Sequence, residues 1–294
     1  MQKQRGLIVS SFGRLYIAEV NGKTYQTVSK GKKTEYVVGD IVDLQIINDA
    51  QAQIMEIEPR KNLIYRSDQN RSKMIASNVD QVLIVIAVKP NFNINFLNSC
   101  LLASEASEIE PIIIINKSDL SETSEFSTDI HNLYSKSLNY HIVQLSAINN
   151  CSELNKILQD KITVLIGQSG VGKSTITNQI CPNANARTGE IAKYENSGTH
   201  TTTNASLYHI NETSDLIDCP GLQEFGLFHL ELSDIAHYFP EMREFIGSCK
   251  FNNCIHVNEP QCAIIDAVNN KVIDNRRYLF YTHLVNRLQQ KKHY

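Results

Sequence analysis

Ile162-Thr163-Val164-Leu165-Ile166-Gly167-Gln168-Ser169-Gly170-Val171-Gly172-Lys173-Ser174-Thr175 is the stretch that decides the fold. It opens as a short β-branched apolar run, turns through three glycines, and continues into Ser174 to Ile180, which can open a helix. Strand, glycine-rich turn and helix in that order are the context that GxxxxGK[ST] requires. The glycines let successive backbone N–H groups wrap phosphate oxygens. Lys173 neutralises the β and γ phosphates, and the Ser174 hydroxyl can ligate magnesium. A plain Gly-rich turn is the competing reading, and the flanking strand and helix weigh against it.

Upstream, Val82 to Val88, the apolar-periodic Phe96 to Ala106, and Pro111 to Ile115 read as strand, helix, strand. The alternation continues through a helix near Ser127 to Leu138, a strand Ile142 to Leu145 and a helix near Ser152 to Leu158, so a mainly parallel α/β sheet is expected. Asn116-Lys117-Ser118-Asp119 follows the strand Ile112 to Ile115, where an open sheet carries its ligand loops. This is NKxD, the guanine-reading pattern. Adenine lacks the N1–H and 2-amino donors of guanine, so with ATP the Asp119 carboxylate would be left unpaired. Asn116 should help to position the base and its loop, and Lys117 can cover the ring with its aliphatic stem. Ser146-Ala147, after the next strand, suits the short loop that backs the guanine.

Downstream, Asp218-Cys219-Pro220-Gly221 follows the apolar pair Leu216-Ile217. That position suits an acid near the magnesium and a glycine, Gly221, whose amide meets the γ-phosphate. In the hydroxyl-rich Gly198 to Thr203, Thr202 is the candidate second magnesium ligand beside Ser174. Leu222 occupies the place of a water-orienting glutamine, and Gln223 is displaced by one residue. His200 is therefore the candidate group for orienting water, against a solvated loop histidine.

Residues 1 to about 60 show short β-type runs broken by Gly13, Asn21-Gly22, Gly31 and Gly39, the signature of a small barrel of OB or SH3-like type. The runs are Gly6 to Ser11, Arg14 to Val20, Tyr36 to Ile47 and Gln53 to Ile57. After about residue 228 the strands stop, and two helical stretches follow, Ala263 to Val268 and Asn275 to Leu288. Between them and the sheet, Cys249-x4-Cys254-x-His256-x5-Cys262 offers three thiolates and one imidazole, the donor set of a closed structural zinc site, one ion per chain. The other four cysteines, Cys100, Cys151, Cys181 and Cys219, are scattered and read as core or loop residues.

The chain has 294 residues and a formal charge of −3, with 42% hydrophobic residues, which excludes wholesale disorder. No apolar run approaches the roughly 20 residues of a membrane span, and the amino terminus lacks a secretory pattern, so a cytoplasmic protein with reduced cysteines is expected. Residues 1 to 33 carry seven Lys/Arg against one acid, and residues 271 to 294 six against one, around an acidic middle. Two basic ends suit phosphate backbones, and a solvated lysine face is the bland alternative.

The order of motifs carries further information. The guanine motif precedes the phosphate loop, the reverse of most GTPases, so the domain must be circularly permuted. Together with Ala76 to Gln81, His200 to Thr203 and Glu224 to Leu227, these motifs resemble the permuted family of ribosome small subunit-dependent GTPase A, RsgA, over nearly the whole chain. Departures are Cys219 where threonine is usual and Thr199 where a longer polar or basic residue is common. The resemblance implies three parts: an OB-type RNA-binding barrel over 1–70, a permuted GTPase domain over 71–228 and a mostly helical zinc domain over 229–294. It also implies a GTPase, and a monomer without DNA or membrane partners is expected. That GTPase would act on the 30S subunit late in maturation, bind 16S rRNA, be stimulated by the subunit, and use His200 in hydrolysis. A nucleotide-gated RNA-binding scaffold is the runner-up; a P-loop small-molecule kinase is disfavoured by NKxD.

Overall fold

The computed structural model describes residues 3–12, 15–29, 35–68, 71–182, 205–219, 227 and 229–291. Its amino-terminal strands are β1 (Gln4–Phe12), β2 (Leu15–Val20), β3 (Lys23–Ser29), β4 (Ile41–Ile46) and β5 (Gln51–Ile57). β1 pairs with both β2 and β4, and β3 pairs in parallel with β5, so the five strands close into a barrel of OB type. Asn21 and Gly22 both have positive φ, 49° and 77°, which makes the β2–β3 hairpin the tight turn that their sequence announces. Inward residues such as Ile8, Tyr16, Ala18, Leu44 and Ile54 fill the barrel.

The expected strand from Tyr36 begins only at Ile41. The buried Asp40 carboxylate explains why. It accepts from the Val37 N–H at 2.8 Å, the Ser77 hydroxyl at 2.6 Å and the Arg60 guanidinium at 2.7 and 2.8 Å, and so holds the preceding residues as a loop. A hairpin absent from the sequence reading follows, β6 (Leu63–Asp68) and β7 (Arg71–Ser77).

The α/β part comprises β8 (Gln81–Ile86), α1 (Ile94–Ala106), β9 (Glu110–Ile115), α2 (Thr123–Ile130), β10 (His141–Gln144), α3 (Glu153–Leu158), β11 (Ile162–Gly167), α4 (Lys173–Ile180), β12 (Ser206–His209) and β13 (Asp215–Asp218). The expected single helix to Leu138 instead passes after Ile130 into a wider π-type turn, His131–Lys136. The order is β10-β9-β8-β11-β13-β12, parallel except for β12. Every residue of β8 is buried, as a central parallel strand covered on both faces requires.

β12 also touches the barrel through the single Ser10–Ser206 pairing, which extends the sheet to eleven strands. Four residues of SLYH carry no strand signal of their own. His209 on β12 braces the joint, with Nδ1 2.6 Å from Asp215 and Nε2 3.0 Å from Glu19 of β2.

The carboxy-terminal segment has 3₁₀ turns at Ile235–Tyr238 and Pro240–Phe245, then α5 (Ala263–Asn269) and α6 (Asn275–Lys291). It packs on α1 in the same hydrophobic core as β8 and β9. Several basic residues of the two chain ends are answered within the protein. Lys3 pairs with Asp43 and Glu56, Arg5 with Glu58, Lys23 with Asp49, Arg276 with Asp129, and Arg277 with Glu241. Cys100, Cys151, Cys181 and Cys219 are buried. Among the described residues, no helix is long and apolar enough to cross a membrane.

Candidate functional site

The carboxyl ends of β9, β10, β11 and β13 bring four sequence motifs to one edge of the sheet: Asn116 to Asp119, Ser146-Ala147, Gly167 to Lys173, and Asp218. Ligands of open α/β sheets bind at this edge. The buried Asn116 side chain donates to the Val171 carbonyl at 2.8 Å and accepts from the Ala147 N–H at 2.9 Å, so one amide ties all three loops together. Lys117, at φ 63°, spans from the guanine loop to the phosphate loop. Its Nζ donates to the Gly170 carbonyl at 2.7 Å and the Lys89 carbonyl at 2.9 Å. The Ser146 hydroxyl donates to Asp119 Oδ1, orienting the carboxylate. Beside Asp119 lies a polar cavity of about 460 Å³ lined by Ser118, Ser121, Ser124, Ser127, Thr128 and Gln144.

The phosphate loop is shaped by close approach. A β-carbon on Gly167 would lie 2.4 Å from the Val85 carbonyl oxygen, which leaves only glycine at that position. Val171 is buried beneath the loop, Ser169 and Ser174 are exposed, and Thr175 is half-buried in the first turn of α4. Lys173 Nζ donates to the loop's own Gly167 and Gln168 carbonyls at 2.7 and 2.9 Å. Burial lowers its pKa, and Asp218 opposes the shift. Burial likewise raises Asp218, against Lys173 and the Cys219 amide. Asp218 Oδ1 is buried with no hydrogen-bonding partner among the described groups. An acceptor held so, near an ammonium and a helix N-terminal loop, fits the coordination sphere of a hard divalent cation such as Mg²⁺. His200, Thr202 and Gly221 lie outside the described residues.

Two supports have no motif in the sequence. Thr123 Oγ1 donates to the Lys117 carbonyl at 2.8 Å, and the Asn93 N–H donates to Gln168 Oε1 at 3.2 Å. The first closes a local turn ahead of α2, and the second joins residues 75 apart in the chain that only the fold brings together.

Cys249, Cys254, His256 and Cys262 form a second site, with their ligand atoms all within 4.8 Å of one another. Cys249 Sγ stands 3.7 Å from Cys262 Sγ, and both sulfurs stand 3.4 Å from His256 Nδ1. Ligands on metal bonds of about 2.0 to 2.3 Å in a tetrahedron stand roughly 3.4 to 3.8 Å apart, so the donor set fits a zinc-sized ion. Burial raises the Cys254 and Cys262 thiols and lowers His256, so thiolates there require a compensating cation. The loop is braced from behind. Glu259 accepts from the N–H groups of Ile255, Val257 and Asn258, while Tyr281 and Tyr278 of α6 donate to the Ile255 and His256 carbonyls at 2.8 and 3.1 Å.

Comparison with known proteins gives the family and the fold. The family model described as RsgA GTPase matches residues 57–228. Two relatives named small ribosomal subunit biogenesis GTPase RsgA are similar over most of their length. That of Nitrosospira multiformis is 42% identical over 96% of this chain and 90% of its own. That of Neisseria meningitidis serogroup B is 41% identical over 93% and 89%. Among solved structures, YjeQ from Thermotoga maritima superposes with a TM-score of 0.74 at 28% identity, covering 98% of this chain and 99% of that one. YloQ, described as a circularly permuted GTPase, gives 0.70 at 27% identity over 99% and 96%.

Proposed function

The chain belongs to the RsgA GTPase family, and from that premise we propose that it hydrolyses GTP to GDP and phosphate during late maturation of the 30S ribosomal subunit, which stimulates it. The observation that carries the nucleotide reading is the Asn116 amide bonded to Val171 and Ala147. It makes the base-reading and phosphate-holding loops one continuous wall although they stand in reversed order along the chain.

In this reading Asp119 pairs with the guanine N1–H and 2-amino group, with Ser146 holding its second bonding direction. Asn116 and Ala147 back the base, and Lys117 lies along its face. The N–H groups of Gly167 to Thr175 receive the phosphates. Lys173 exchanges its two loop carbonyls for phosphate oxygens, a charge-assisted replacement of neutral bonds. Ser174, Thr202 and Asp218 hold magnesium, which when bound neutralises charge on the β and γ phosphates. The Gly221 amide meets the γ-phosphate. His200 orients the attacking water, because Leu222 has no polar group to do so.

Cys249, Cys254, His256 and Cys262 hold one structural zinc, since four protein donors leave no open position for chemistry. The barrel-bearing domain over 1–70 and the zinc-bearing segment over 229–294 face 16S rRNA, flanking in sequence the GTPase domain over 71–228. The protein works as a cytoplasmic monomer.

GTP turnover measured with and without purified small subunits tests the proposal. Turnover raised at least tenfold by subunits, and not matched by ATP, is expected. Turnover indifferent to subunits overturns the stimulated enzyme in favour of the scaffold reading.

A further inference from the structure

Helix α1 touches the nucleotide site at its start and the carboxy-terminal segment along its body. The Asn93 N–H donates to Gln168 of the phosphate loop at 3.2 Å, while the Asn93 side chain caps the helix by accepting from the N–H groups of Asn95 and Phe96 at 2.9 and 3.3 Å. The connection from β8 to α1 meets the site twice more. Lys89 offers its carbonyl to Lys117, and the Pro90 ring lies 3.4 Å from where a β-carbon on Gly170 would stand.

Five residues after Asn93, Asn98 Oδ1 accepts from the Tyr134 hydroxyl at 2.7 Å and from Arg277 of α6 at 3.0 Å. Arg277 is only 1% exposed; Glu241 holds it at 2.7 and 3.3 Å, and its guanidinium stands 4.7 Å from the centroid of Phe239. At the end of α1, Glu105 accepts from Arg243 at 2.6 Å. One packed helix thus joins a phosphate-loop side chain to a buried ion pair of the carboxy-terminal segment.

We propose that Gln168 is a positioning residue of the phosphate loop, and that the buried Arg277–Glu241 pair holds it in place through α1. A phosphate loop binds through N–H groups set in advance, so a shift of one anchor weakens every contact the loop makes. Closely packed interiors transmit such shifts because they have no slack. The pair supplies the firm end, because a buried guanidinium without its carboxylate must move toward water and carry Asn98 and α1 with it. Attachment of the carboxy-terminal segment to a partner would then bear on nucleotide affinity along the same route. The proposal rests on Gly167 to Ser174 being the phosphate site.

The test uses the full chain and the fluorescent nucleotide mant-GDP with magnesium, on Gln168→Met, the paired Glu241→Leu/Arg277→Met, and their combination. Gln168→Met should weaken mant-GDP about 2- to 12-fold, the worth of one net hydrogen bond, and raise KM for GTP by more than it lowers kcat. The paired replacement keeps the volume apolar but removes the Arg277 hydrogen bond to Asn98 Oδ1, so α1 loses its tie to the carboxy-terminal segment and mant-GDP should weaken similarly; unchanged affinity in it overturns the route through α1. The combination should cost no more than the larger single effect, since both act on one contact. Unchanged affinity in Gln168→Met overturns the positioning role. Effects that multiply in the combination overturn the route through α1. If the paired replacement fails to fold, Arg243→Met, which removes the partner of Glu105 at the end of α1, replaces it with the same expectation and the same overturning results. Lys173→Ala, run alongside, reports on the phosphate-loop reading itself: retained mant-GDP binding in that variant overturns the site and the proposal with it, whereas lost binding there beside unchanged affinity in Gln168→Met overturns the proposal alone.

Discussion

Asn116 and Gly172 stand in direct contact: a β-carbon on Gly172 would lie 2.2 Å from Asn116 Nδ2, and the glycine sits at φ +103°. The guanine loop and the phosphate loop therefore meet where only glycine fits. Gly172→Ala must push Asn116 off the Val171 carbonyl and take a left-handed conformation that costs about 1 to 2 kcal/mol. GDP affinity by calorimetry should fall at least about tenfold, which one net hydrogen bond plus that strain supplies. A variant that binds GDP normally would show that the contact is slack.

Asp119 carries base selectivity. With Ser146 holding one side of its carboxylate, Asp119→Asn replaces an acceptor by a group that also donates. GTP should weaken by about 100-fold or more, and xanthosine triphosphate should improve. ATP competing as well as GTP in the unaltered protein would remove the assignment.

His200 separates binding from chemistry. His200→Ala should leave GTP affinity within a few fold and lower subunit-stimulated turnover by about 10- to 10⁴-fold, the usual worth of a positioned acid–base group. Stimulated turnover at the unaltered rate returns His200 to a solvated loop residue.

The cysteine cluster predicts about one zinc per chain by elemental analysis, because binding such an ion is part of the folding free energy of its segment. Cys254→Ser should lose the metal and lower the thermal transition, while GTP still binds, because the base and phosphate loops stand at strand ends of the parallel sheet rather than on the cysteine loop. Protein purified without chelators and free of zinc would dismiss the site.

His209 joins the barrel to the sheet, and its hydrogen bonds to Asp215 and Glu19, against burial, push it up to about 9. A raised value means that the fold binds the proton more tightly than the unfolded chain does. The stabilisation is complete below the ordinary histidine value near 6.5 and is lost as pH rises through about 9. The Tm difference between the unaltered protein and His209→Gln should therefore shrink between pH 6.5 and 9.5, and shrink further in high salt. A difference independent of pH would show that His209 acts by packing alone.

Local chemistry made part of this protein legible from its residues alone. The Ile162 to Ser174 run required strand, glycine turn and helix, because phosphate contacts need backbone N–H groups at that spacing. Asn21-Gly22 announced its hairpin, since adjacent positive φ angles favour those residues. Three cysteines and a histidine within fourteen residues announced their cluster, because the ligands of a compact site come from one short loop. The reversed motif order already stood in the sequence as a permutation.

What lay beyond the sequence depends on residues far apart in the chain. Asp40 stops a strand because Arg60 and Ser77 reach it, and nothing within Tyr36 to Ile47 records either partner. Ser206 to His209 becomes a strand because β13 and the barrel offer it edges, while its own four residues have no period to read. Gln168 meets Asn93, and Arg277 meets Glu241 and Asn98, across separations of 75, 36 and 179 residues. Such contacts carry no local propensity; they exist only once the parallel sheet has set α1 between the phosphate loop and the carboxy-terminal helices.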